Sequence, residues 1–206
     1  MNIDDLEGMV LVEVDVQNDF ILKDGGLPVM GADCAVRAAI MKTHGWAREC
    51  GIPIIATMDC HAPDDPEFKS FPPHCVEGTA GYDRWDSSGS KKDVFVVPPR
   101  EIPEEDILDA LAYCPMIQIQ KNTIDLFSNP NAKKLFEGVK KAIVTGVATD
   151  YCVKAVVLGL RNLGVEVIVI KEAIAGVDLD ASAAAVDEMV SAGAQFVLTD
   201  DIVGQK

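Results

Sequence analysis

Basic residues are scarce in this chain: 18 Lys and Arg stand against 33 Asp and Glu, a formal charge of −15 over 206 residues. Nucleic acids and anionic membranes require a basic face, so this balance excludes both as partners and otherwise reads as solubility. Long apolar runs are missing too. None approaches the roughly 20 residues of a membrane span, and the acidic start Met1-Asn2-Ile3-Asp4-Asp5 lacks the basic n-region of a secretory signal. A soluble, cytoplasmic protein is expected. The six cysteines, at 34, 50, 60, 75, 114 and 152, contain no C-x-x-C pair and are dispersed, so a disulfide scaffold is not expected. There is no Walker motif, and Gly146 lacks the glycine partners of a dinucleotide fingerprint, so no nucleotide cofactor is expected. Without a low-complexity linker or an internal repeat, the chain reads as one domain over residues 1–206.

What is present is alternation. β-branched apolar runs at Met9–Val14, Ile52–Met58, Asp93–Val97, Met116–Gln120, Ala142–Val147, Val165–Ile170 and Phe196–Leu198 read as strands. Between them lie helical patterns. Asp33 can cap a helix with Val36, Ala39, Ile40, Thr43 and Ala47 on one face, and Gly51 stands near its end. Pro103 with three acids opens another, with Ile107, Leu108 and Leu111 inward. Short or longer helices follow at about 132–136, from Val153 onward, and at 182–192. Alternation of this kind predicts an α/β fold of three αβα layers, with a mostly parallel, doubly wound sheet. The long stretch from Cys60 to about Lys92, rich in Pro and Asp, is expected to be functional.

Open parallel sheets bind ligands beyond the carboxyl ends of their strands. Asp15, Asp59 and Lys121 each follow directly on an apolar run, and Cys152 lies just past a fourth. A doubly wound fold brings all four to one rim. Thr149 or Asp150 is a plausible N-cap, which places Cys152 in a first helical turn where the dipole and free N–H groups favour a thiolate. The alternative for Cys152 is a small buried side chain under a helix. A nucleophilic cysteine needs a base, a positive field and oxyanion donors, and Asp15, Lys121 and the helix start can supply them without histidine.

A second constellation is Asp59-Cys60-His61 with His74-Cys75 thirteen residues on. Asp59 and His61, two apart in an extended segment, can share a side, and His74 completes three ligands with an open position. Such a site suits zinc, with iron or manganese as alternatives, and the two cysteines would favour zinc if they joined. Loop histidines in ordinary hydrogen bonds are the other reading. His44, alone in a helix, reads as structural.

Taken together, Val14-Asp15-Val16-Gln17-Asn18-Asp19-Phe20, Asp59-Cys60-His61, Phe71-Pro72-Pro73-His74-Cys75, Lys121 and Gly146-Val147-Ala148-Thr149-Asp150-Tyr151-Cys152-Val153 resemble the isochorismatase-like cysteine hydrolases, and within them the nicotinamidases. The match spans nearly the whole chain, in the family's order. The resemblance implies that Cys152 is the nucleophile, Asp15 the base and Lys121 the third member of a triad. It implies Asp59, His61 and His74 as ligands of a divalent metal. It also implies a cis peptide between Val147 and Ala148, which brings the N–H of Ala148 beside that of Cys152 as an oxyanion hole. Phe20 and Phe71 match positions flanking a pyridine ring, core packing being the alternative for each. A homodimer or larger homo-oligomer and a small amide substrate are implied, nicotinamide before another amide or ureide. A non-catalytic binding module is the remaining alternative. The departures surround the substrate: Cys60 and Phe71 replace tryptophans, the stretch between His61 and His74 is short, and the loop after Lys121 lacks an aromatic-rich pattern.

Overall fold

A computed structural model describes residues 6–32, 34–85 and 94–204. Among the described residues seven strands form one sheet: β1 (Met9–Val14), β2 (Ile54–Asp59), β3 (Val94–Val97), β4 (Met116–Lys121), β5 (Lys141–Val147), β6 (Glu166–Ala175) and β7 (Gln195–Val197). Their spatial order is β3-β4-β2-β1-β5-β6-β7, and every pairing is parallel. The strand order runs one way from β1 through β2 and the other way through β5. That switch point opens a crevice beyond the ends of β1 and β5, where an open α/β sheet takes its ligands.

Successive strand residues face opposite layers. Val10, Val12, Val14, Val144 and Val167 pack with α3 (Glu104–Tyr113), α4 (Ala132–Leu135), α5 (Lys154–Asn162) and α6 (Leu179–Ser191), through Ile107, Leu135, Val156, Leu160 and Met189. Met9, Leu11, Ile54, Ile143 and Ile168 pack against α2 (Cys34–Glu49) and α7 (Thr199–Val203), through Ile40, Trp46, Ala47 and Ile202. Each large side chain so buried contributes about 1.5–3 kcal/mol. The expected three layers are therefore present, and the sheet is wholly parallel.

Local expectations fared unevenly. Leu108 is 57% exposed, while Ala110 is buried beside Ile107 and Leu111 is partly buried, so the inward stripe of α3 is 107, 110 and 111. Asp33 and Asp93 lie outside the described residues. The polar stretch after β1 forms one helical turn, α1 (Asn18–Ile21), and α7 follows β7; neither was expected from the pattern. The described part of the long loop is tied down by backbone bonds. His61 donates to Cys75 at 3.1 Å, Asn18 to Asp83 at 3.0 Å and Trp85 to Val16 at 2.9 Å.

Gly146 is required where β1 and β5 meet. Its φ is +115°, and a Cβ there would stand 2.1 Å from the carbonyl oxygen of Val14. The register of β5 against β6 shifts between Val144 and Gly146, and one residue further on the Val147–Ala148 peptide is cis.

Candidate active site

Asp15, Asp59 and Lys121 converge at the strand exits, as does Cys152. Lys121 closes β4 and is buried, its ammonium 2.9 Å from Asp15 Oδ2, 3.2 Å from Asp59 Oδ1 and 3.6 Å from Cys152 Sγ. Burial alone would lower the lysine's pKa, but the carboxylate charges of Asp15 and Asp59 outweigh it and hold Lys121 protonated. Asp15 takes a left-handed backbone, φ +48°, directly after β1. Its Oδ1 accepts a hydrogen bond from Thr57 Oγ1 at 2.5 Å, and its own N–H donates back to that oxygen at 3.1 Å.

Cys152 does not occupy the first turn of an ordinary α-helix. It sits in a π-helical turn, Thr149–Val153, that precedes α5, and Ala148 stands at the N-cap position without a side-chain bond. Neither Thr149 nor Asp150 caps. Asp150 is buried and instead accepts the N–H groups of Val177 and Asp178, each at 3.0 Å, tying the turn to the β6–α6 connection. The expectation of a favoured thiolate is also corrected. Burial, the nearby Asp15 and Asp59 charges and a hydrogen bond with Asp15 push the thiol up, against the opposing pull of Lys121. The proton therefore rests on sulfur with Asp15 beside it.

The second cluster is built on Asp59. Its Oδ2 lies 3.1 Å from His61 Nε2 and 3.3 Å from His74 Nε2, and all three residues are buried. Behind the rings, His74 Nδ1 donates to the carbonyl of Pro72 at 2.8 Å, and His61 Nδ1 lies 3.0 Å from the Asp65 carboxylate without the geometry of a hydrogen bond. Fixing Nδ1 outward leaves Nε2 facing the shared carboxylate, the arrangement of a metal-ligating imidazole. Two imidazole nitrogens and one carboxylate oxygen fit a borderline divalent ion. In the protein alone, burial works against charge on the rings, but the hydrogen bond and charge of Asp59 push His61 up to about 9 and also raise His74. Asp59 is correspondingly held far below the usual carboxylate range: burial opposes this, and Lys121 and the two histidines overcome it. Neither Cys60 nor Cys75 belongs to this group among the described residues.

A pocket of about 120 Å³ opens onto Asp15, Asp59, His74 and Cys152, walled by Phe20, Phe71, Val29, Ile124, Tyr151 and Ala148. Its size is of the order of the roughly 150 Å³ cavity that takes up benzene. Phe20 is buried with its ring 5.4 Å from that of His74, whereas Phe71 is 37% exposed at the rim. His44 is structural, its Nδ1 3.0 Å from buried Glu13, which Arg84 also binds at 2.8 Å.

Several contributors escaped the sequence pattern. Thr57 supports Asp15; it lies two residues before Asp59 on one strand, so alternation alone puts both on one face. Gln17 brackets Asp59, its Oε1 accepting the Asp59 N–H at 2.7 Å and its Nε2 donating to the Asp59 carbonyl at 2.9 Å. Phe68 packs its ring against both His61 and His74, and Glu67 lines the pocket. No local signal marks Phe68 or Glu67, and although Gln17 stands in the Val14–Phe20 stretch that carries the resemblance, its partner Asp59 is distant in sequence.

Fold and site together define a parallel α/β enzyme with a buried carboxylate, lysine and thiol beside a metal-competent cluster. A family model described as the isochorismatase domain matches residues 9–201, so the chain belongs to the isochorismatase family and is a hydrolase of that family. It is 30% identical to the nicotinamidase of Escherichia coli, over 93% of this chain and 95% of that protein. It is 31% identical to the nicotinamidase/pyrazinamidase of Mycobacterium tuberculosis, over 91% and 97%. Among solved structures it is similar to the pyrazinamidase of Pyrococcus horikoshii in complex with zinc, with a TM-score of 0.69, 26% identity and coverage of 93% and 99%. Among the described residues no helix is long and apolar enough to cross a membrane.

Proposed function

We propose that this isochorismatase-family hydrolase cleaves the carboxamide C–N bond of nicotinamide, through an acyl-enzyme on Cys152. The observation that carries this is the placement of Lys121, one buried ammonium within 3.6 Å of Asp15, Asp59 and Cys152, three residues that line a ring-sized pocket. Nicotinamidase relatives that align over more than nine-tenths of this chain support the substrate. One domain over residues 1–206, assembled as a homo-oligomer in the cytoplasm, belongs to the same proposal. The family match over 9–201 supports the single domain.

In this mechanism Asp15 takes the proton from the Cys152 thiol as sulfur attacks the amide carbon. The N–H groups of Ala148 and Cys152, two residues that line the pocket, receive the oxyanion. Asp15 then passes its proton to the leaving nitrogen, ammonia departs, and a thioester remains. Asp15 next deprotonates a water that hydrolyses the thioester, releases the acid and returns the proton to sulfur. Lys121 keeps Asp15 in place and offsets negative charge as it forms on sulfur. Asp59, His61 and His74 would hold the divalent ion, zinc before iron or manganese. Such an ion supplies a Lewis-acid position for a substrate ring nitrogen. Phe20 and Phe71 offer faces to the ring.

Ammonia release from a panel of carboxamides by wild type and Cys152→Ala tests this. Nicotinamide should lead, pyrazinamide should also turn over, and the variant should release none. A second reading, another small amide or ureide, is favoured by the open rim at Phe71 and wins if such compounds outpace nicotinamide. If nothing turns over while zinc binds, the chain is a binding module.

A further inference from the structure

Asp19 lies outside both the pocket and the histidine cluster, yet its carboxylate joins the two loops that complete them. Its Oδ1 accepts the N–H of Gly26 at 2.7 Å, and its Oδ2 accepts the N–H of Cys75 at 2.7 Å. Cys75 directly follows His74 and carries a left-handed backbone, φ +44°, so the chain turns sharply at the point Asp19 holds. Gly26 directly precedes Leu27, Pro28 and Val29, which form one wall of the pocket. The backbone of α1 reinforces the grip, as the N–H of Leu27 donates to the Asp19 carbonyl at 3.1 Å and that of Val29 to the Phe20 carbonyl at 2.9 Å.

We propose that Asp19 is a positioning residue that sets His74 for metal and the Leu27–Val29 wall for substrate at the same time. This rests on the metal-dependent amidase reading given above. The chemistry is specific to a carboxylate. Two N–H donors approach its two oxygens, and asparagine has one acceptor oxygen, so in either orientation its amide nitrogen meets a donor. Glutamate would place the acceptors one methylene further on. The site is also closed from the far side: Gly81 packs so tightly that a Cβ there would lie 2.1 Å from Asp19 Oδ2, while the Asp19 N–H donates to the Gly81 carbonyl at 3.1 Å. Gln17, two residues earlier, brackets Asp59 in the same way. One short segment after β1 thereby positions a metal ligand on β2 and another in the loop.

The test compares Asp19→Asn and Gly81→Ala with wild type. Zinc affinity is measured by chelator competition without substrate, kinetics are measured at saturating zinc, and a thermal melt confirms folding. Loss of a group bonded directly to a metal ligand costs about 10–100-fold in affinity; Asp19 acts one residue away, through the Cys75 N–H, so Asp19→Asn should weaken zinc by about tenfold, the lower end of that range. Saturating zinc should restore most of kcat while KM stays raised, because the Leu27–Val29 wall remains loose. Gly81→Ala, whose Cβ displaces the carboxylate, should show the same split, and it carries the test if Asp19→Asn does not fold. Wild-type zinc affinity and KM in a folded variant would overturn the proposal. A wild type that binds zinc but hydrolyses no carboxamide removes the substrate assignment and leaves the affinity comparison to decide the role of Asp19.

Discussion

The ammonium of Lys121 lies 2.9 Å from a carboxylate oxygen of Asp15, and both side chains are buried. Asp59 is a second carboxylate on the same ammonium, 3.2 Å away, so two acids of the pocket share one cation. Removing one partner of a buried pair leaves uncompensated charge, which typically costs about 3–5 kcal/mol.

Lys121→Met should therefore lower the melting temperature by roughly 10 °C in a chain of this size, as well as abolish activity. Asp15→Asn preserves shape but removes the proton acceptor. Its kcat should fall by about 10²–10⁴-fold, the usual contribution of general acid–base catalysis. Melting curves and steady-state rates check both, and an Asp15→Asn enzyme with near-normal kcat would remove Asp15 from the mechanism.

Cys152 should not be the first cysteine to react with a neutral alkylating agent. Its thiol is pushed up by burial and by two carboxylates, whereas Cys34 and Cys50 are exposed. With iodoacetamide at neutral pH, peptide mapping should show Cys34 and Cys50 labelled ahead of Cys152. An aldehyde analogue of the substrate should instead inhibit by adding reversibly to Cys152. Fastest alkylation at Cys152 would mean that Lys121 prevails over the acids.

His74→Ala should lose both zinc and activity. Loss of a direct ligand is expected to exceed the roughly 100-fold limit seen for outer partners. Metal analysis after dialysis checks the assignment, and full zinc occupancy in that variant would be incompatible with it. Phe71→Ala, altered only at the exposed rim, should raise KM more than it lowers kcat.

Acid should destabilise the protein partly through Glu13. Burial raises its pKa, but Arg84 and His44 prevail and hold it below its ordinary value of 4.5. A lowered folded pKa contributes stability that is present above about pH 4.5, the unfolded value, and is lost as pH falls through the folded one. Glu13→Gln should be less stable at pH 7 and lose less on going from pH 5 to pH 3. Parallel melting-temperature curves for the two proteins would show that Glu13 carries none of this dependence.

Much of this molecule was legible in one dimension. β-Branched runs located the strands, and their last residues named Asp15, Asp59 and Lys121 as groups at a common rim, with Cys152 just past another run, because side-chain period and strand polarity are local properties. Residue partners were not legible. β1 is flanked by β2 and β5, which places Thr57 and Gly146 opposite Val14 although they are distant in sequence. That pairing decides that Thr57 serves Asp15 and that Gln17 serves Asp59, and the pairing of β5 with β6 brings the β6–α6 connection to Asp150, which binds it instead of capping a helix. The acidity of Cys152 is not legible in sequence for the same reason: a helix start and a lysine are visible there, but the burial and the two carboxylates that outweigh them exist only once the strand ends meet. Local chemistry chose the elements, and the long-range strand order chose which charges share one low-dielectric space.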